Sequence, residues 1–295
     1  MSQTNAYVQH FKTALIADGK LPKTVKSYVL DVSMFLQWLE EKTGHAFDGI
    51  LTRFYITTYK AKLMEENYEV NTINKKINSL SSFNQFLVDE GIMQQMVVHG
   101  KKDKIKVASG SEKEVDVFTK EETERLLFFL EDKKVSKRNK LIVFLLLYTG
   151  VRVNELVNIQ LKDMDLLTRQ LKVYGKGGKY REVPLKNELI ELIQDYLSTE
   201  RKESRYADSP FLFVSQRSPH MIADAVNKLL NTIAAAVGME IYPHKFRHTF
   251  CSNLLEKGVD ITTVSQLAGH ASIETTHKFY IHTSKETKRN AVDLL

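Results

Sequence analysis

Six side chains in this 295-residue sequence stand where they could act on a phosphate. Arg152 follows Gly150 at the opening of VRVNELVNIQLKDMD, read as the start of a new helix, with Glu155 three residues on and so on a neighbouring position of one face. A guanidinium at a helix start offers a planar fork to a phosphate and the helix dipole adds to the attraction. The same arginine equally makes a surface ion pair with Glu155. Lys176 sits in the turn Gly175-Lys176-Gly177-Gly178, where it either swings into a groove or is simply solvated. That turn is no phosphate-binding P-loop, because G-x-x-x-x-G-K-[ST] is absent and a second strand follows where a helix would open. PHKFRHTF places His244 and Arg247 at i, i+3 beside a helix start set by Pro243. His270 follows Gly269 between two helical runs, a place a buried, backbone-satisfied histidine also occupies. Tyr280 lies in ETTHKFYIHTSKE, an amphipathic run in which a tyrosine packs as readily as it reacts.

As a set these residues are more informative than singly. Two arginines, a lysine, two histidines and a tyrosine, without a carboxylate pair, suit metal-independent attack of a phenolic oxygen on a phosphodiester. The arginines would neutralise the nonbridging oxygens as charge accumulates on pentacoordinate phosphorus. A histidine or lysine would handle the protons of the tyrosine and of the departing 5′-oxygen. The bond energy is then kept in a phosphotyrosyl linkage, so religation needs no ATP. A single cysteine, Cys251, excludes an internal disulfide, and no Cys/His cluster has zinc-ligand spacing. No metal and no cofactor is expected.

The elements that must hold these groups can be read from periodicity. Four runs with apolar residues at helical spacing, roughly Ala6 to Ala17, Thr24 to Lys42, Thr52 to Glu66 and Asn71 to Glu90, predict a small helical bundle. From Val97 to Asp116 no period is sustained, and Lys, Gly and Ser are frequent, as in a domain boundary. Beyond it, Thr119 and Glu122 form a capping box ahead of a helix, and KRNKLIVFLLLYTG, apolar on nearly all sides, predicts a buried central helix closed by Gly150. QLKVYGKGGKYREVPL alternates like two strands of a hairpin. Helices are expected over Lys186 to Lys202, His220 to Gly238, His244 to Lys257, Ile261 to Leu267 and Ile273 to His282. The expected fold is mainly α with a small β component, in two domains: residues 1–98 helical, 99–116 a basic linker, and 117–295 a second domain with a small antiparallel sheet.

Composition adds bounds. With 43% apolar residues the chain can bury a full core, and no signal peptide or membrane span is expected, so the protein is read as cytoplasmic. The net charge of +6 is unevenly placed: residues 1–98 hold 10 basic and 10 acidic residues, residues 118–295 hold 27 and 22. In HGKKDKIK, Lys101, Lys102, Lys104 and Lys106 surround one aspartate and read either as a solvated linker or as a contact to a DNA backbone.

The order and spacing of TGVRVNELVNIQLKDMD, VYGKGGKYREVPL, HKFRHTFCSNLLEKGVDITTVSQLAGH and SIETTHKFYIH resemble the tyrosine recombinase (phage integrase) family. The resemblance runs from about Phe118 to the end and, more weakly, into the first domain, where PKTVKSYVLDVSMFLQWLEEKTG and VNTINKKINSLSSFNQFLVDEG look like the SAM-like core-binding domain of Xer-type members and compact integrases. It implies that Arg152 and Arg247 grip the scissile phosphate, Lys176 protonates the leaving 5′-hydroxyl, His244 and His270 assist proton transfer and transition-state binding, Tyr280 forms a 3′-phosphotyrosyl intermediate, and Glu155 helps order the site. It also implies two domains that clamp double-stranded DNA at a specific core site, and a homotetramer that exchanges strands through a Holliday junction, with an accessory DNA-binding protein or partner recombinase possible. From His270 to Tyr280 is ten residues, a spacing that resembles integrases of phages and mobile elements more than the Xer proteins of chromosome dimer resolution, which usually have nine. The expected role is therefore integration, excision or resolution of a mobile element, without an additional arm-binding domain. Xer-type dimer resolution is the alternative; a type IB topoisomerase or a non-catalytic DNA-binding regulator is a remoter one. The tail, with Ala291, Val292, Leu294 and Leu295, either docks on a neighbouring subunit or packs on its own domain.

Overall fold

The computed structural model describes residues 3–106, 115–175, 178–270 and 272–280; of Gln3, Asn5, Lys278, Phe279 and Tyr280 only the backbone is described. Lys176 and the apolar end at 291–295 lie outside the described residues. The chain divides into two compact units, Met1–Glu112 and Lys113–Leu295.

The first unit carries α1 (Gln3–Ala17), α2 (Pro22–Thr43), α3 (Arg53–Glu65) and α4 (Val70–Asp89), each within three residues of the periodic run that predicts it. Local chemistry sets their ends. Proline opens α2, and Gly44 at φ 78° closes it by donating its N–H to Glu40 O. Thr52 caps α3 by accepting from Tyr55 N. Phe11, Phe35 and Phe83 are fully buried among these helices, with Phe11 edge-on to Phe83 at 5.2 Å and Phe35 edge-on to Tyr59 at 5.0 Å.

The stretch read as the linker's basic part is tied to this unit instead. Asn84 Oδ1 accepts from Val97 N and Val98 N at 2.7 and 2.9 Å. Asp103, buried, accepts both nitrogens of the Arg53 fork and the His99 N–H, and its carbonyl accepts from Lys60 Nζ. Ile105 exchanges hydrogen bonds with the Asn74 amide. A run without helical period still folds when side chains on neighbouring helices satisfy its backbone.

The second unit is built around α6 (Lys137–Thr149), whose residues from Leu141 to Leu147 are all buried. It follows α5 (Lys120–Leu130), opened by the Thr119–Glu122 capping box. After it come α7 (Val153–Val157), a 3-10 turn (Leu161–Asp163), and an antiparallel sheet ordered β1 (Met164–Asp165), β2 (Gln170–Tyr174), β3 (Tyr180–Pro184). Then come α8 (Asn187–Ser198), α9 (Ala223–Val237), α10 (Pro243–Glu256), α11 (Ile261–Ala268) and α12 (Ile273–Tyr280). Phe250 and Cys251 of α10 join Leu255, Val264 and Ala268 in a smaller core beneath α11.

The run after Arg152 differs from the expected single helix. It stops at Val157, and Ile159 and Leu161 exchange backbone hydrogen bonds with Leu212 and Pro210. Asp163 accepts the Gln160 N–H, and Met164 then pairs with Leu171 as a third strand. Pairing with a segment about 50 residues away overrides the local helical pattern.

Candidate active site

The site is assembled where α6 ends. Gly150 turns the chain at φ 60°, a left-handed conformation suited to glycine, and its carbonyl accepts from Arg247 Nη1 at 2.7 Å. A Cβ on Gly150 would lie 2.4 Å from Phe250 Cδ1, so the absence of a side chain lets α10 approach. Arg152, two residues on, caps α7. Its backbone N–H donates to Glu155 Oε2 at 2.8 Å, Nη1 donates to Glu155 Oε1 at 2.8 Å, and Nη2 donates to Gly269 O at 2.9 Å. The side chain keeps 39% of its surface exposed.

Glu155 is buried and accepts from a second arginine as well. Arg181 of β3 donates Nη1 to Oε1 at 3.1 Å and Nη2 to Oε2 at 2.8 Å, and its Nε donates to Leu267 O at 2.7 Å. Burial would raise the Glu155 carboxyl, but hydrogen bonds from Arg181 and from the Arg152 backbone hold it below the usual range, so it remains an anion.

Arg247 enters from the first turns of α10, which Pro243 opens. Its guanidinium is buried, with Nη1 on Gly150 O and Nη2 lacking any hydrogen-bond partner. Burial and the positive charge of Arg152 push it down to about 10. His244, one turn earlier, is exposed at its edge, and partial desolvation followed by Arg247 and Arg152 keeps it below the ordinary histidine value. His270 follows Gly269, the left-handed cap of α11; its Nδ1 lies 2.7 Å from the hydroxyl of buried Thr276 on α12. Burial first, then Arg247, Arg152 and Arg181, push it down to about 4, so it is neutral at physiological pH. Tyr280 ends α12, one turn beyond Thr276.

The unit's first residues brace α10. Asp116 accepts from Tyr242 Oη at 2.7 Å, pairs with buried Lys245 at 3.1 Å, and offers its carbonyl to His248 Nδ1 at 3.2 Å. Phe118 N donates to Thr249 Oγ1 at 2.8 Å. Tyr242 is pushed up to about 12 by burial and then by Asp116.

Arg152, Glu155, Arg247 and His270 are thus brought together from α7, α10 and the α11 cap, with His244 a turn from Arg247. Lys176 and the Tyr280 side chain lie outside the described residues, and Lys101, Lys102, Lys104 and Lys106 belong to the other unit. Sequence reasoning missed Arg181, Thr276 and Asp116. For Arg181 a signal existed: on β3 it shares the inward face with Val183, where a cation needs a carboxylate. Two surface cavities of about 300 and 520 Å³ share Arg138, Ser215 and Gln216 and hold none of the predicted residues. Among the described residues no group of His, Cys, Asp or Glu could hold a metal ion, and no helix is long and apolar enough to cross a membrane.

Comparison with known proteins bears on this arrangement. Residues 116–287 match the phage integrase family, and residues 8–91 match the phage integrase N-terminal SAM-like domain. The chain is 33% identical over 292 residues to the TnP I resolvase of Bacillus thuringiensis, covering 97% of this chain and 99% of that one. It is 32% identical over 276 residues to tyrosine recombinase XerD of Oceanobacillus iheyensis, covering 92% and 91%. In fold it is similar to XerH site-specific recombinase bound to a palindromic difH substrate (TM-score 0.73, 23% identity, 91% and 78% covered). It is also similar in fold to Tn1549 transposon integrase in complex with a circular intermediate DNA (TM-score 0.72, 20% identity, 97% and 98% covered).

Proposed function

Because this chain belongs to the phage integrase family of tyrosine recombinases and is a site-specific DNA recombinase, we propose that Tyr280 is its nucleophile and that Arg152 and Arg247 bind the scissile phosphate. The observation that carries the reading is the buried Arg247 Nη2, a donor without a partner beside a second arginine and a neutral histidine. Three cations around one carboxylate leave an excess of positive charge that a phosphate diester neutralises.

In the reaction the Tyr280 oxygen forms a bond to phosphorus as the bond to the 5′-oxygen breaks. The phenolic proton passes to a neutral histidine, His270 or His244, and Lys176 gives a proton to the leaving oxygen. Arg152 and Arg247 hold the nonbridging oxygens throughout, and Glu155 orients Arg152. Rejoining reverses these steps with the 5′-hydroxyl of another strand, through a Holliday junction within a homotetramer on synapsed DNA. Tyr242 is poorly suited to the nucleophile's part, since its hydroxyl is committed to Asp116 and its proton is held up to about 12.

Tyr280→Phe should bind the site normally and form no covalent adduct on a nicked suicide substrate; an adduct that persists in this variant overturns the assignment. The first unit acts as the core-binding domain, with Lys101, Lys102 and Lys106 exposed and Lys104 half-buried on it. Asp103 between them is neutralised internally by Arg53 and does not oppose a phosphate backbone. Changing all four lysines to Gln should lower the slope of log affinity against log salt by up to about 3.6; an unchanged slope removes them from the interface.

The biological role we favour is integration, excision or resolution of a mobile element, supported by the ten-residue His270–Tyr280 spacing and by the similarity to TnP I resolvase. Similarity to XerD favours dimer resolution as the second reading. Sequencing the DNA that the protein binds, then assaying plasmids carrying that site, separates the two: a site at an element's end supports the first, one in the replication-terminus region the second.

A further inference from the structure

We propose that Arg181 is a positioning residue of the active site: its guanidinium on β3 ties the carboxylate that orients Arg152 to the turn that presents His270. The inference rests on the assignment of Arg152 and His270 to the phosphate site.

The contacts are directional. Two Arg181 nitrogens span the two oxygens of Glu155 at 3.1 and 2.8 Å, and the third donates to Leu267 O at 2.7 Å. Arg152 makes the complementary link, donating to Glu155 on one side and to Gly269 O on the other. Two carbonyls of a single turn, at Leu267 and Gly269, are therefore held by two arginines that share one carboxylate. The turn is laid directly on Arg181: a Cβ at Gly269 would sit 2.8 Å from Nη1 and 3.0 Å from Cδ. A lysine has no planar fork and cannot make all three bonds at once.

Charge gives the same answer as geometry. If Glu155 faced Arg152 alone, the pair would be neutral and its pull on a phosphate weakened. With Arg181 the cluster keeps one net positive charge while Glu155 remains an anion. Arg181, with 12% of its side chain exposed, has its fork on Glu155 and its Nε on Leu267 O, whereas Arg152, at 39%, is the more open of the two. Arg181 thus acts through Arg152 and His270.

The test compares Arg181→Gln and Arg181→Lys with the wild type in the full-length chain. First, the His270 ring is titrated by NMR in the free protein, identified by its loss in His270→Gln. Besides burial, the groups that push it down are Arg247 and His248 from α10, Arg152 at the start of α7 and Arg181 from β3. Arg181→Gln removes one of these cations and should raise the His270 midpoint; Arg181→Lys keeps the charge and should leave it near the wild-type value. Second, the adduct rate on a nicked suicide substrate should fall about 10- to 100-fold in Arg181→Gln, the cost of a misplaced group, with DNA affinity within a few fold of wild type. Arg181→Lys should fall between. An unmoved His270 midpoint with an unchanged adduct rate overturns the proposal. So does a parallel loss of affinity and adduct in both variants, the mark of a purely structural clamp. Absence of adduct in the wild type would count against the phosphotyrosyl reading, while the His270 titration would still decide the placement of Arg181.

Discussion

Arg247 and His270 gain their character from what surrounds them. Arg247 is buried with one nitrogen unpartnered, and His270 is pushed down to about 4 by burial and by three arginines. Between pH 6.5, the usual histidine value, and about 4, the unfolded chain takes up a proton at His270 that the folded chain refuses. Its contribution to stability is therefore full above pH 6.5 and lost as pH falls toward 4. His244 and His248, also held low, add to the same slope. The fall in melting temperature on acidification should accordingly be shallower in His270→Gln than in the wild type, measured by differential scanning calorimetry from pH 7 to 4; parallel curves would contradict the depressed value. The types of these residues were legible in the sequence, because HKFRH and AGH carry few other readings once they occur together. The protonation of His270 was not, since it depends on arginines 23 to 118 positions away.

Among the elements, α10 is held from several sides. It is seated by Phe250 against Gly150, by Arg247 on the Gly150 carbonyl, and by Asp116 and Phe118 along its first turns. Gly150→Ala places a side chain in a left-handed turn and drives it into the Phe250 ring, which should cost roughly 2–4 kcal/mol in urea unfolding. The same change displaces the helix bearing Arg247, so the adduct rate should fall more than DNA affinity does; equal losses would argue that Gly150 serves stability alone. Most element ends were readable because their signals are local, as with the Thr119–Glu122 box, Gly44 and Gly150. The early stop of α7 and the role of Arg181 were not, because their partners, Leu212 and Glu155, are distant in sequence; the two-residue strand β1 was not, because only its pairing with Leu171 distinguishes it from a turn.

For the whole molecule, each unit has its own main hydrophobic core, one built on Phe11, Phe35 and Phe83, the other on α6, so the two can be studied apart. The sequence placed the end of the first near residue 98 because HGKKDKIK has no period. Buried Asp103 and its bonds to Arg53 and Lys60 draw that segment into the first unit. A fragment ending at residue 98 should therefore be less stable than one ending at residue 106 by roughly 1–3 kcal/mol, the cost of a few charged hydrogen bonds, read from urea midpoints; coincident midpoints would return these residues to the linker. In the second unit, Cys251 lies one turn beyond Arg247, fully buried, with its thiol pushed up to about 11 by burial despite the nearby arginine. As the sole sulfhydryl in 295 residues, it makes the protein its own chronometer. A thiol-reactive dye has one place to react and must wait for α10 to part from α11, so its rate of uptake, with and without DNA, counts the openings of the helix that carries Arg247 without any label being engineered.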